Sequence, residues 1–193
     1  SGAGMTGAGI LAARAALHSG AGRVYVGLLG DEAQQPSWDP QCPELMFRRT
    51  GTLLADEALL QHATVVCGCG GGQAIAGYLS RILSTCPSLV LDADALNAIA
   101  GDDALRRLVV ERSARNWITV VTPHPLEAAR LLAASTTSVM KDRLDAARLL
   151  SEQLNVVAVL KGSGTVIHAP GKTPRINASG NPALATAGTG DVL

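Results

Sequence analysis

Apolar residues recur along this chain in two rhythms: short, near-continuous Val/Ile/Leu runs, and longer stretches in which they return every three or four positions. The short runs, at 24–28, 64–67, 89–91, 118–121 and 156–160, predict strands buried on both faces. The longer stretches, at 6–18, 73–83, 95–100, 125–132 and 141–153, predict helices between them. The first helix is Ala-rich and is closed by Gly20 and Gly22. Strand and helix alternate, which specifies an α/β fold: a mostly parallel sheet with helices on both faces. Residues 165–168 and 175–177 also look extended and suggest a small antiparallel edge. Residues 30–43 carry Asp31, Pro36, Asp39, Pro40 and Pro43, and that composition favours a surface loop.

Composition narrows the function classes. With 193 residues, 47% hydrophobic and 17% charged, the chain can bury one sizeable core, so residues 1–193 are expected to form a single domain. Its start in a glycine-rich loop and its stop after a glycine-rich turn suggest a fragment of a longer polypeptide. Sixteen basic and sixteen acidic residues cancel, leaving no excess charge for a nucleic-acid backbone or an anionic membrane. No apolar run approaches the roughly 20 residues that span a bilayer. A cytoplasmic protein binding neither nucleic acid nor membrane is the expectation. The four cysteines, Cys42, Cys67, Cys69 and Cys86, lack zinc-like spacing, and Cys67 and Cys69 are expected as small buried residues. Trp38, Trp117 and the lone histidines His18, His62 and His168 offer no platform or partner set.

Five polar or glycine-rich signals directly follow strand candidates: Gly68–Gly72, Asp92 with Asp94, His124 with Glu127, Lys161–Thr165, and Gly188–Asp191. A doubly wound sheet gathers such positions at the carboxyl edge of its strands, where ligands bind. Gly188-Thr189-Gly190 before a helix start would let backbone amides approach a phosphate. Asp191 could then accept the proton of a hydroxyl attacking that phosphate; equally, it could simply favour the first helical turn. Lys161-Gly162-Ser163-Gly164-Thr165 suits a nucleotide without matching a Walker A loop, but also suits a hairpin turn. His124 could hydrogen-bond a substrate and Glu127 could hold Mg²⁺ through water, or the pair could cap the helix that Pro125 opens. Asp94 fits a helix N-cap, which leaves Asp92 the harder to explain.

Taken in order, the segments Gly4–Ala8, Leu91–Asn97, Thr122–Glu127, Leu160–Thr165 and Asn181–Leu193 resemble the ADP- or ATP-dependent NAD(P)H-hydrate dehydratase family. The resemblance runs from end to end. It implies a ribokinase-like fold and a lyase that returns hydrated NADH or NADPH (NADHX, NADPHX) to the reduced dinucleotide, using Mg²⁺ and a nucleotide. The bacterial-looking Thr-Pro-His-Pro points to ADP rather than ATP. Residue by residue, it implies that Ala8, Gly70, His124 and Asp191 contact the hydrated dinucleotide. Lys161, Gly162, Ser163, Gly164, Thr165 and Gly190 would contact the nucleotide, with Asp191 catalytic. It also suggests a homo-oligomer, with an epimerase domain fused in some relatives, and implies that the fragment lacks the family's first strand and C-terminal helices. Members usually carry Gly-Pro-Gly where this chain has Gly68-Cys69-Gly70. The alternatives are a small-molecule kinase of the same fold, which would release the phosphorylated alcohol, and a nucleotide-binding module without catalysis.

Overall fold

A computed structural model of the chain describes residues 6–31, 33, 35–180 and 188–192. Six strands form the main sheet: β3 (Thr64–Cys67), β4 (Ser88–Leu91), β5 (Ile118–Val121), β6 (Val157–Leu160), β7 (Val166–His168) and β8 (Arg175–Ile176), in spatial order β3-β4-β5-β6-β7-β8. The pairs from β3 to β6 are parallel, and β7 and β8 add the expected antiparallel edge. The first strand departs from expectation. It is cut to β1 (Tyr25–Val26) and pairs in parallel with β2 (Met46–Phe47), outside the main sheet.

Helix α1 (Thr6–His18) has the bounds its alanines predict, and α4 (Ala76–Thr85), α5 (Ala93–Ala100), α7 (Pro125–Leu131) and α9 (Arg143–Leu154) connect the strands. Four short helices were not legible in the apolar rhythm: α2 (Thr50–Ala55), α3 (Glu57–His62), α6 (Asp103–Glu111) and α8 (Thr136–Lys141). Each buries only one or two side chains, too few for a periodic signal. Their starts are chemically defined all the same. The side chains of Asp56, Asp102 and Ser135 accept hydrogen bonds from first-turn amides of α3, α6 and α8, and Asp142 does so for α9.

Apolar faces of α4, α5, α6, α7 and α9 meet the sheet in one cluster, in which Leu79, Leu83, Leu89, Leu91, Leu96, Leu150 and Leu160 are essentially inaccessible. Arg112 is buried among them. Its guanidinium donates to the carbonyls of Leu83, Pro87 and Ile118 and to Thr119 Oγ1, joining the end of α4 to the starts of β4 and β5. Burial without a carboxylate partner pushes its pKa down to about 10. A second, smaller cluster of Ala13, Val26, Leu28, Cys42 and Leu45 holds α1 against β1. It is anchored by Arg14, which donates from Nε and Nη2 to Asp39 at 2.6 Å each. Hydrogen bonding to Arg14 holds the Asp39 carboxyl below its ordinary range. Between α1 with β1 on one side and β3 on the other runs an apolar cleft of about 530 Å³. Among the described residues no helix is long and apolar enough to cross a membrane.

Candidate active site

Because β3 to β6 run in one direction, their carboxyl ends open on one edge, and backbone hydrogen bonds carry the ladder past them. Asp92 N donates to Cys67 O (3.0 Å), Thr122 N to Leu91 O (3.1 Å) and Lys161 N to Pro123 O (2.9 Å). The loops after four strands are thereby held in register with one another. Gly68 has φ +113°, and a Cβ there would lie 1.8 Å from the Asp92 carbonyl oxygen. Only glycine lets the first two loops pass so closely.

Asp92 stands at the N-cap position of α5, so Asp94 is not the cap it was expected to be. Asp94 lies one step into the helix and accepts from Gly72 N at 2.7 Å. The Asp92 side chain makes no capping bond and turns into the site instead. Its Oδ1 accepts from Lys161 Nζ at 2.7 Å and from Thr122 Oγ1 at 2.8 Å, while Oδ2 faces Cys69 Sγ at 3.8 Å. With side-chain exposures of 7% for Asp92 and 19% for Lys161, this is a largely desolvated ion pair. Breaking such a pair leaves an uncompensated charge.

Asp191 sits in a 3₁₀ turn, Thr189–Val192, rather than an extended helix start, and Leu193 lies outside the described residues. Gly188 enters the turn at φ +84°, and its carbonyl accepts from Asp191 N at 3.1 Å. One carboxylate oxygen each of Asp92 and Asp191, with Cys69 Sγ, lie within 4.8 Å of one another. Desolvation and the Asp92 charge raise the pKa of Asp191, against an opposing pull from Lys161. A carboxylate beside a cation, with its proton affinity raised by burial and a like charge, has the makings of a general base. Burial, with the two aspartates, pushes the Cys69 thiol up to about 12.

A family model for NAD(P)H-hydrate dehydratase matches residues 1–193, the whole chain. The chain belongs to the NAD(P)H-hydrate dehydratase family. It is 42% identical over 193 residues to the ADP-dependent (S)-NAD(P)H-hydrate dehydratase of Neisseria meningitidis serogroup B, covering 99% of this chain and 63% of that relative. It is 38% identical over 193 residues to the bifunctional NAD(P)H-hydrate repair enzyme Nnr of Coxiella burnetii, covering 98% of this chain and 37% of the relative. The Bacillus subtilis ADP/ATP-dependent NAD(P)H-hydrate dehydratase, co-crystallized with ATP/Mg²⁺ and soaked with CoA, superposes with a TM-score of 0.73 at 29% identity. That match covers 97% of this chain and 66% of the other. The three-layer arrangement is the ribokinase-like fold. The chain thus spans less than two thirds of the length of these relatives.

In this member of the dehydratase family, the residues singled out from sequence are only partly gathered. Lys161 and Asp191 meet around Asp92, and a Cβ on Gly190 would stand 3.6 Å from Lys161 Nζ. Gly162, Ser163 and Gly164 form the turn between β6 and β7, with Gly162 at φ +147° and Gly164 at φ +65°; Thr165 Oγ1 closes it on Gly162 O. The hairpin reading of that segment is therefore literal. Arg143, which sequence reasoning missed, donates to the carbonyls of Ser163 (2.5 Å), Leu160 (3.2 Å) and Lys161 (3.4 Å) and fixes the turn's shape. Ala8 lies in the first turn of α1, beside Gly9, whose Cβ would reach the Cys69 carbonyl at 4.0 Å. Gly70, at φ +61°, lines the apolar cleft with Cys69, whereas Asp92, Lys161 and Asp191 do not line it; the cleft adjoins the site and is not the site itself.

His124 and Glu127 do form a capping box. His124 Nδ1 accepts from the amides of Leu126 and Glu127, and Glu127 Oε2 accepts from His124 N at 2.8 Å. The other oxygen, Oε1, lies 3.2 Å from His124 Nε2, so both Glu127 oxygens face His124. Of the segments carrying the resemblance, Gly4–Met5 and Asn181–Ala187 lie outside the described residues.

Proposed function

We propose that the protein is an ADP-dependent dehydratase that returns hydrated NADH or NADPH to NADH or NADPH. Asp191 is its general base. The observation that carries the reading is the position of Asp191: in a glycine-flanked turn, beside the buried Asp92–Lys161 pair, with its proton affinity raised. Asp191 takes the proton of the ring C6 hydroxyl as that oxygen attacks the terminal phosphoryl group of ADP, forming a phosphate ester and releasing AMP. The ring nitrogen's electron pair then expels phosphate from C6, and loss of a proton from C5 restores the C5–C6 double bond. Lys161, held in place by Asp92, offsets the charge building on the transferred group.

Ala8, Gly70 and His124 are assigned to the hydrated dinucleotide, and Lys161–Thr165 with Gly190 to the nucleotide. Supporting this, all but Ala8 follow the carboxyl ends of strands or stand in the Asp191 turn, and Ala8 lies on α1, which packs against that turn. The chemistry also calls for Mg²⁺, which when bound neutralises phosphate charge. The hard oxygen donor suited to it is Asp92 Oδ2, directly or through water, which leaves Asp191 free to act as the base. Glu127 fits poorly, since both its oxygens are engaged by His124. A cytoplasmic homo-oligomer, working with an epimerase on the same polypeptide or a separate one, fits this repair role.

The test is absorbance at 340 nm with the full-length protein, hydrated NADH and Mg²⁺, with ADP and ATP in separate cuvettes. A nucleotide-dependent rise, larger with ADP, is expected. A flat trace with accumulation of a stable phosphate ester would mean a kinase instead. Asp191→Asn should lower kcat by about 10²–10⁴-fold while retaining nucleotide affinity; turnover at the wild-type rate would sink the assignment.

A further inference from the structure

We propose that Cys69, Asp92 and Asp191 form a site for one thiophilic divalent cation of the Zn²⁺ class, whose binding withdraws the Asp191 carboxylate from catalysis. Three loops supply the donors, and one ligand atom from each lies within 4.8 Å of the others. A tetrahedral ion with bonds of about 2.0–2.3 Å requires ligand-to-ligand edges of roughly 3.3–3.8 Å. The Cys69 Sγ to Asp92 Oδ2 edge already has that length, at 3.8 Å. What remains is a movement of the order of 1 Å toward Asp191, within reach of a side-chain rotation.

Two further features prepare the Asp92 corner. Its oxygens are divided: Oδ1 accepts from Lys161 and Thr122, while Oδ2 faces the thiol. At an N-cap position that usually spends its carboxylate on first-turn amides, Asp92 caps nothing, so the group is held for the site. Of the three groups that donate to Asp92, the Cys69 Sγ–H is the weakest, and replacing its proton by a dication turns the surrounding negative charge from repulsive to attractive.

The donor chemistry selects the ion. Thiolate with two carboxylates leaves a fourth, open position and suits Zn²⁺ or Co²⁺; Mg²⁺ asks for six oxygens and gains little from sulfur. The consequence extends the proposed function but is read independently of it. An ion bound here holds Asp191 as a ligand, so it blocks proton transfer whichever hydroxyl is the substrate.

The test titrates chelator-treated, full-length protein with Co²⁺ in the absence of nucleotide. One Co²⁺ per chain is expected, with a thiolate-to-cobalt charge-transfer band that stoichiometric Zn²⁺ abolishes and millimolar Mg²⁺ leaves in place. Cys69→Ser should remove the band and weaken binding at least ten-fold, whereas Asp191→Asn should keep the band and weaken binding by a similar factor. The absence of a charge-transfer band in the wild-type protein, or a band undiminished in Cys69→Ser, overturns the site; so does displacement by Mg²⁺. Because the readout is optical, failure of the dehydratase reading leaves this result intact, and the reverse also holds.

Discussion

At the scale of single residues, the centre of the site is a charge balance around Asp92. Lys161 supplies its counter-ion across 69 positions of sequence, and Asp191 leans against the same pair. Lys161→Met should lower stability by about 2–4 kcal/mol by leaving the buried carboxylate unpaired. Urea denaturation of Lys161→Met, Asp92→Asn and the double variant checks it: the double variant should lose less than the two singles summed. The pH dependence follows from Asp191, whose carboxyl has a higher pKa folded than unfolded. For a carboxyl raised in this way, folding disfavours the ionised form. The penalty is therefore absent below the unfolded value near 3.8 and grows as pH rises through the folded one. Two outcomes are expected together. The acid limb of kcat/KM should fall above pH 3.8, and Asp191→Asn should melt no lower than the wild type at neutral pH, even as activity is lost.

At the scale of elements, the loops after β3 and β4 are fitted to each other through Gly68. Gly68→Ala combines a positive φ with a Cβ placed 1.8 Å from a backbone oxygen, so the chain has to move. A loss of at least about 3 kcal/mol is expected, larger than the roughly 1 kcal/mol of an unstrained glycine replacement. Thermal denaturation of Gly68→Ala beside Gly77→Ala, where a Cβ would meet nothing within 4 Å, separates the two. The elements also explain an ambiguity in the chain. His124 and Glu127 are a capping box, and Lys161–Thr165 is a turn between antiparallel strands, yet both are carried on the edge where Asp92 and Asp191 meet. A structural role in starting a helix or reversing a strand therefore leaves their backbone groups in place for a ligand. What was legible here was the loop, not the direction of its side chains.

For the molecule as a whole, two apolar clusters flank the cleft, one spanning the main sheet and one joining α1 to β1. They should respond separately. Leu150→Ala, at a position with no exposure, should lower global stability by about 2–5 kcal/mol, slowing no exchange and speeding that of every protected amide. Leu45→Ala, in the smaller cluster, should speed hydrogen exchange in α1 and β1 while α4 and α9 keep their protection. Hydrogen–deuterium exchange read by mass spectrometry distinguishes them, and uniform loss in both variants would mean one cooperative unit. Since Ala8 lies in α1 and the Asp191 turn packs against that helix, opening of the smaller cluster also loosens one wall of the site.

The chain's own pattern determined the alternation of strand and helix, the parallel sheet with an antiparallel edge, and the strand ends at which chemistry would gather. Each of these depends on local periodicity and on glycine or proline at a boundary, which neighbouring residues encode. The resemblance added a family and an expected chemistry from motif order alone, and the family match bears out the former. Tertiary structure decided what depends on contacts between distant segments. It moved β1 and β2 out of the main sheet, turned Asp92 away from its helix toward Lys161, set Cys69 against two carboxylates, and brought Arg143 under the β6–β7 turn. No local rhythm carries those facts, because an arginine on a helix face or a cysteine between glycines looks the same in sequence whether it meets solvent or a buried charge.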